Sequence, residues 1–172
     1  MRKRLENRLK YLYSGELLSL IMFIPLSYLL NLSYPGLRIY SLYSFWVSFF
    51  FLEFLLLQGT IYWYTKLKRL RIEHTSKTPI RTIRRLKNLK KVNFGLIIVS
   101  LIMFAIDIVK WQPALPLGGL LLAVFIYVFA ISEFINYFYV QLSYDNRSDI
   151  RYLFKTKKLK RACINKDFKR IS

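Results

Sequence analysis

Four acidic residues stand inside apolar stretches of this 172-residue chain: Glu16, Glu53, Asp107 and Glu133. A charge at the centre of a membrane helix costs roughly 2.5 to 3.5 kcal/mol on insertion scales, so each of them needs a partner or a purpose. Glu53 is the deepest, about eleven residues, or roughly 16 Å of helix, from either end of its stretch. A carboxyl isolated there is expected to carry its proton and to hydrogen-bond between helices; the functional alternatives are a proton or cation site lined by a bundle, or contact with a lipid headgroup in a wet groove.

Glu133, Asn136, Tyr137, Gln141 and Tyr144 follow one another at offsets of 0, 3, 4, 8 and 11, which places them on one face of a helix. This polar stripe is expected to turn away from lipid, toward Gln58 and Glu16 at similar depth, and to form with them a pocket opening inward. An ordinary network of interhelical hydrogen bonds, worth about 0.6 kcal/mol each, would use the same residues. Asp107 and Lys110 are three apart, so a local ion pair accounts for both without a function.

Other chemistry is not spelled out. The chain has no HExxH, no CxxC, no phosphate-binding glycine loop and no Ser, His, Asp set; it has one histidine, His74, read as a solvated loop residue. Cys163 is the sole cysteine, so neither a disulfide nor a metal cluster is expected, and no cofactor is implied.

The elements that must carry these groups follow from composition. With 55% hydrophobic and 17% aromatic residues, the chain has more apolar surface than a soluble domain of this size can bury. Four apolar stretches predict transmembrane helices over residues 12–32, 39–64, 92–109 and 115–139, each near the roughly 20 residues that cross a bilayer. The fold class expected is therefore all-α, a polytopic four-helix transmembrane bundle over 1–144 with a basic loop at 66–91, followed by a basic tail at 145–172. Strands are disfavoured because runs such as Phe49 to Leu57 are apolar at nearly every position instead of alternating. Arg2, Lys3 and Arg4 before the first stretch resemble the start of a signal peptide, yet no small-x-small site follows Leu32, and the segment is expected to be retained. Pro25 predicts a kink in the first span. Gly119 and Ala123 permit a close helix approach, within the bundle or between subunits.

Charge predicts the orientation. Of 28 Lys and Arg, all but Arg38 and Lys110 fall before the first span, in the second loop or in the tail. The positive-inside rule places those three segments, and hence both ends, in the cytoplasm. Tyr34, Tyr40, Tyr43 and Trp111 then form the outer aromatic belt, and Tyr11, Tyr13, Tyr62, Trp63, Tyr137 and Tyr139 the inner one.

Within the basic loop, Thr78 is expected to cap a helix with Pro79 at its first position. Ile80, Ile83, Leu86 and Leu89 recur at three-residue intervals among Arg81, Arg84, Arg85, Lys87, Lys90 and Lys91. This predicts a basic amphipathic helix that lies on the membrane and turns into the third span, or runs straight on into it. In the tail, Ser148 or Asp149 can start a helix with an apolar patch of Ile150, Leu153 and Phe154, followed by Lys155, Lys157, Lys158, Lys160 and Arg161. The partners expected for Arg81, Arg84, Arg85, Lys87, Lys157, Lys158, Lys160 and Arg161 are anionic lipid headgroups or a membrane protein; nucleic acid is disfavoured because no recognition module accompanies the charge.

The strings Gln141-Leu-Ser-Tyr-Asp-Asn146, Lys157-Lys-Leu-Lys-Arg161 and Asn165-Lys166-Asp167 resemble the end of small uncharacterised four-span proteins of Gram-positive bacteria. The resemblance covers about 30 residues, implies a bacterial plasma membrane and carries no chemistry. Taken together, the residues favour a non-catalytic accessory or stress-related membrane factor acting through its basic surfaces. The alternatives are a small oligomeric proton- or cation-coupled transporter or channel subunit built on Glu53, and a lipid-processing enzyme with Glu133, Tyr137 and Gln141 in its pocket.

Overall fold

The computed structural model describes residues 2–142, 151, 154 and 159–170. They form α1 (Arg2–Ser33), two short 3-10 turns (Pro35–Leu37 and Ile39–Ser41), α2 (Tyr43–Ile72), α3 (Ile80–Lys110), α4 (Leu117–Phe138) and a short α5 (Cys163–Lys169). The four long helices are each long and apolar enough to cross a membrane, and the protein is an all-α, multi-pass helical bundle. The one β feature among the described residues is an antiparallel bridge between Val140 and Arg161.

The bundle is organised on α2, which packs against α1, α3 and α4 and is the most buried of the four. Its inward residues Ser44, Ser48, Phe51, Leu55, Gln58 and Tyr62 recur at steps of three and four, while Trp46, Phe50, Leu57, Ile61 and Tyr64 form an exposed apolar stripe. On α3 the buried Leu86, Asn93, Ser100 and Asp107 are seven residues apart, close to two turns, so they stay on one line facing α2. By contrast α1 is peripheral: Leu18, Ile21, Met22, Ile24, Leu29 and Leu32 are all exposed, a surface suited to lipid tails. Lipid is as apolar as leucine, so helices here must be held by close packing and polar contacts.

Two such contacts join α2 and α3. Gln58 and Asn93 exchange a reciprocal pair of amide hydrogen bonds, each 3.0 Å long. Asp107 accepts the N–H of Tyr43 at 3.1 Å and of Ser44 at 2.7 Å, capping the start of α2 from another helix. The local ion pair expected between Asp107 and Lys110 is thus corrected: the carboxylate turns inward to unsatisfied helix-terminal N–H groups, and the Lys110 ammonium stands over the Tyr43 ring, 4.2 Å from its centroid.

Several boundaries differ from expectation. The second span starts at Tyr43, not residue 39, because Pro35 and the left-handed Arg38 (φ 49°) fold the preceding segment into 3-10 turns. Ile39 and Leu42 from those turns are buried against Phe45 and Ala123. The small residues of α4 serve this contact inside the chain, since a Cβ on Gly119 would lie 2.0 Å from the Leu37 carbonyl oxygen. Of the two courses expected for the amphipathic segment, the structure shows the second: it runs straight on into the third span, and α3 is a single helix of 31 residues, about 46 Å long. Thr78 is not its cap: the N-cap is Pro79, and the Thr78 hydroxyl donates to Asp167 at 2.6 Å. α1 remains helical through Pro25.

Among the described residues, the start of α1, the α2–α3 turn and α5 meet at one end of the bundle. Arg71 pairs with Glu6 at 2.7 Å and Arg2 donates to the Leu70 carbonyl, joining the start of α1 to the end of α2. Arg69 binds Glu73 and the Lys77 carbonyl, closing the turn toward α3, and its guanidinium holds the Glu73 carboxyl below the usual carboxylate range. The short α5 docks here too. Gln141 N–H donates to the Lys160 carbonyl (2.7 Å) and Ala162 N–H to that of Tyr139 (3.2 Å), while Phe168 stacks on Phe138. Asp167 fastens it, accepting from Tyr62 Oη (2.8 Å) and Thr78, with Lys66 Nζ at 3.2 Å. The tail helix expected from Ser148 or Asp149 through Lys155 lies mostly outside the described residues, as do Tyr144, Lys157 and Lys158.

A candidate site between α1 and α4

α1 and α4 each pack chiefly on α2, which leaves a cleft between them. The face shared by Glu133, Asn136 and Tyr137 turns α4 toward this cleft, and Glu16 faces it from α1. Tyr137 is buried and donates its hydroxyl to Glu16 Oε2. Asn136 donates to Glu133 Oε2 at 3.2 Å and accepts the Leu142 N–H at 2.8 Å, so one amide fixes both the carboxyl and the chain leaving α4. Gly59 on α2 makes the arrangement possible. A Cβ there would sit 2.6 Å from Tyr137 Oη and 3.1 Å from Glu16 Cδ. Only a residue without a side chain lets the Tyr137–Glu16 pair lie across α2.

The resulting cavity has a volume of about 460 Å³. Phe23 and Phe129 line its deep end, edge to face with centroids 6.4 Å apart. The carboxyls of Glu16 and Glu133 form a belt, and Arg8, Lys160 and Lys166 line the mouth together with Cys163 and Ile164 of α5. Carboxyl and amide oxygens in the belt can accept hydrogen bonds from hydroxyl or amine groups, whereas the cations at the mouth suit an anion.

Of the residues singled out from sequence, Glu16, Glu133, Asn136, Tyr137 and Gln141 thus line one cavity. Gln58 does not join them. It lies one residue before Gly59, about 100° round the helix, and that rotation points it away from the cleft, to Asn93 on α3. Glu53 is also elsewhere, on the edge of the exposed stripe of α2, with both carboxyl oxygens covered and no hydrogen-bond partner among the described residues. Arg81, Arg84, Arg85 and Lys87 are exposed on the first turns of α3, around the buried Ile83 and Leu86. Lys160 stands at the cavity mouth and Arg161 is exposed in the bridge to Val140. Among the described residues no group of three or more His, Cys, Asp or Glu is placed to hold a metal ion.

Gly59, Asn93 and Asp167 have structural roles that the sequence reading does not assign them. Asn93 had a readable signal, the seven-residue spacing from Leu86 and to Ser100. Gly59 and Asp167 depend on which helix faces which, and nothing local announces it. Comparison with family models, curated proteins and solved structures returns no match.

Proposed function

We propose that this is a non-catalytic protein of a bacterial plasma membrane, with both ends and the α2–α3 turn in the cytoplasm, and that it works by holding anionic lipid headgroups at its basic end. One observation carries the reading: exposed cations on the first turns of α3, above all Arg81, Arg84, Arg85 and Lys87, stand at the same end as the basic start of α1 and the cationic mouth of the α1–α4 cavity. Each cation near an anionic leaflet contributes on the order of 1 kcal/mol and loses it within a Debye length of roughly 8 Å. Four clustered groups would therefore enrich anionic lipid strongly around this end while leaving the bulk membrane untouched. The cytoplasmic assignment rests on the same asymmetry, through the positive-inside rule.

The test compares lipid retained by protein extracted from mixed phosphatidylglycerol and phosphatidylcholine vesicles. The wild type should retain phosphatidylglycerol preferentially, and the pair Arg84→Glu with Arg85→Glu should lower that preference several-fold. An unchanged lipid ratio in the charge-reversed protein, or none to begin with, would remove the reading.

A second reading is favoured by Glu53, whose buried and unpartnered carboxyl is the feature a proton-coupled carrier would need. It requires a flux in reconstituted vesicles driven by a pH gradient and abolished by Glu53→Gln. A flux that survives the substitution, or the absence of any flux, would discard it.

A further inference from the structure

The α1–α4 cavity is layered along its axis. By helical position the Phe23 and Phe129 rings come first, then the Glu16 and Glu133 carboxyls, then Arg8 and Lys160 among Leu5, Leu9 and Leu12. Arg8 is eight residues from Glu16 on the same helix, about 12 Å by helical rise, so the cationic and carboxyl layers occupy separate levels. The protein itself satisfies the belt only in part. Tyr137 and Trp63 donate to Glu16 and Asn136 donates to Glu133 Oε2, and the oxygens of two carboxyls can accept further donors. Acceptors in the belt call for a donor on the ligand, and cations at the mouth call for an anion. A chain with a net charge of +19 also repels a simple organic cation before it arrives.

We propose that this cavity binds a phosphate ester carrying a free hydroxyl on the inward side of its phosphate, with the hydroxyl on the Glu16 and Glu133 carboxyls and the phosphate between Arg8, Lys160 and Lys166. The proposal rests on the anionic-lipid reading above and adds the hydroxyl requirement to it. In a single-chain phospholipid such as lysophosphatidic acid, acyl chain, free hydroxyl and phosphate follow one another in the same order as the cavity's rings, carboxyls and cations. α1 and α4 each pack chiefly on α2 rather than on one another, so the acyl chain would leave between them past the Phe23 and Phe129 rings. Diacyl phosphatidic acid has no free glycerol hydroxyl, and phosphatidylglycerol carries its free hydroxyls on the outer side of the phosphate. A free glycerol phosphate has the same recognised chemistry without the chain.

The experiment titrates the full-length protein, in phosphatidylcholine nanodiscs, with lysophosphatidic acid and with diacyl phosphatidic acid of equal chain length, against empty nanodiscs. Lysophosphatidic acid should bind about tenfold more tightly, the upper end of what one hydrogen bond contributes. Glu133→Gln should shrink that preference to about twofold or less. Glu73→Gln, the same substitution at the same end but outside the cavity, should leave it intact. Displacement of lysophosphatidic acid by glycerol 3-phosphate would support the site with a free polyol phosphate as its source, and failure to displace would support it with a lipid. Equal binding of the two lipids by the wild type would overturn the hydroxyl site while leaving the anionic-lipid reading standing. If neither lipid bound the protein above empty nanodiscs, both would fall.

Discussion

At the scale of single residues, the bundle depends on a few polar groups that satisfy one another across helices. Asp107 accepts two N–H groups at the start of α2 and is 1% exposed. Asp107→Ala should destabilise the protein by about 2 kcal/mol, the combined cost of a lost cap and stranded donors. Thermal unfolding in detergent reads this, and an unchanged midpoint would mean that the carboxylate is not the cap. Gly59 makes a different kind of contribution. Gly59→Ala places a methyl 2.6 Å from Tyr137 Oη, too close for the ring to stay, so the Tyr137–Glu16 hydrogen bond should break. The variant should fold with a loss of about 1 to 3 kcal/mol, as for other overpacked sites, and lysophosphatidic acid affinity should fall with it. Residues of this kind are only half legible in a sequence. A carboxylate within an apolar stretch announces that it needs a partner, but Asp107 had a plausible neighbour in Lys110 and a better one on another helix. Gly59 announces nothing, because what it avoids is a side chain seventy-eight positions away.

At the scale of elements, the four long helices were legible because lipid imposes length and apolarity on each independently of its neighbours. Their ends were less so. The start of α2 was misplaced by four residues because Ile39, Tyr40 and Leu42 are as apolar as a span, while the backbone there is governed by Pro35 and the left-handed Arg38. Docking of α5 could not be read at all. Cys163–Lys169 is too short for a periodic pattern, and its hold comes from Asp167 meeting Tyr62, Lys66 and Thr78, groups from distant parts of the chain. Removing that hub should loosen the helix without unfolding the bundle. In Asp167→Ala, the half-buried Cys163, the sole thiol of the chain, should react with maleimide several-fold faster than in the wild type. Equal rates would show that Asp167 does not fasten α5.

At the scale of the whole molecule, one asymmetry governs everything proposed. The starts of α1 and α3, the end of α2 and the docked α5 collect at one end of the bundle, and most of the described Lys and Arg go with them. The loops at the other end carry only Arg38 and Lys110. A cationic end can meet an anionic leaflet only if it lies wholly on one side of the membrane, so sidedness is the premise of both the lipid reading and the hydroxyl-phosphate site. It can be tested in intact cells by labelling with a membrane-impermeant maleimide in a Cys163→Ser background. Gln112→Cys, between α3 and α4, should label from outside, whereas Lys77→Cys and Lys169→Cys should label only after permeabilisation. Labelling of Lys77→Cys and Lys169→Cys from opposite faces, or of either from outside, would contradict the account.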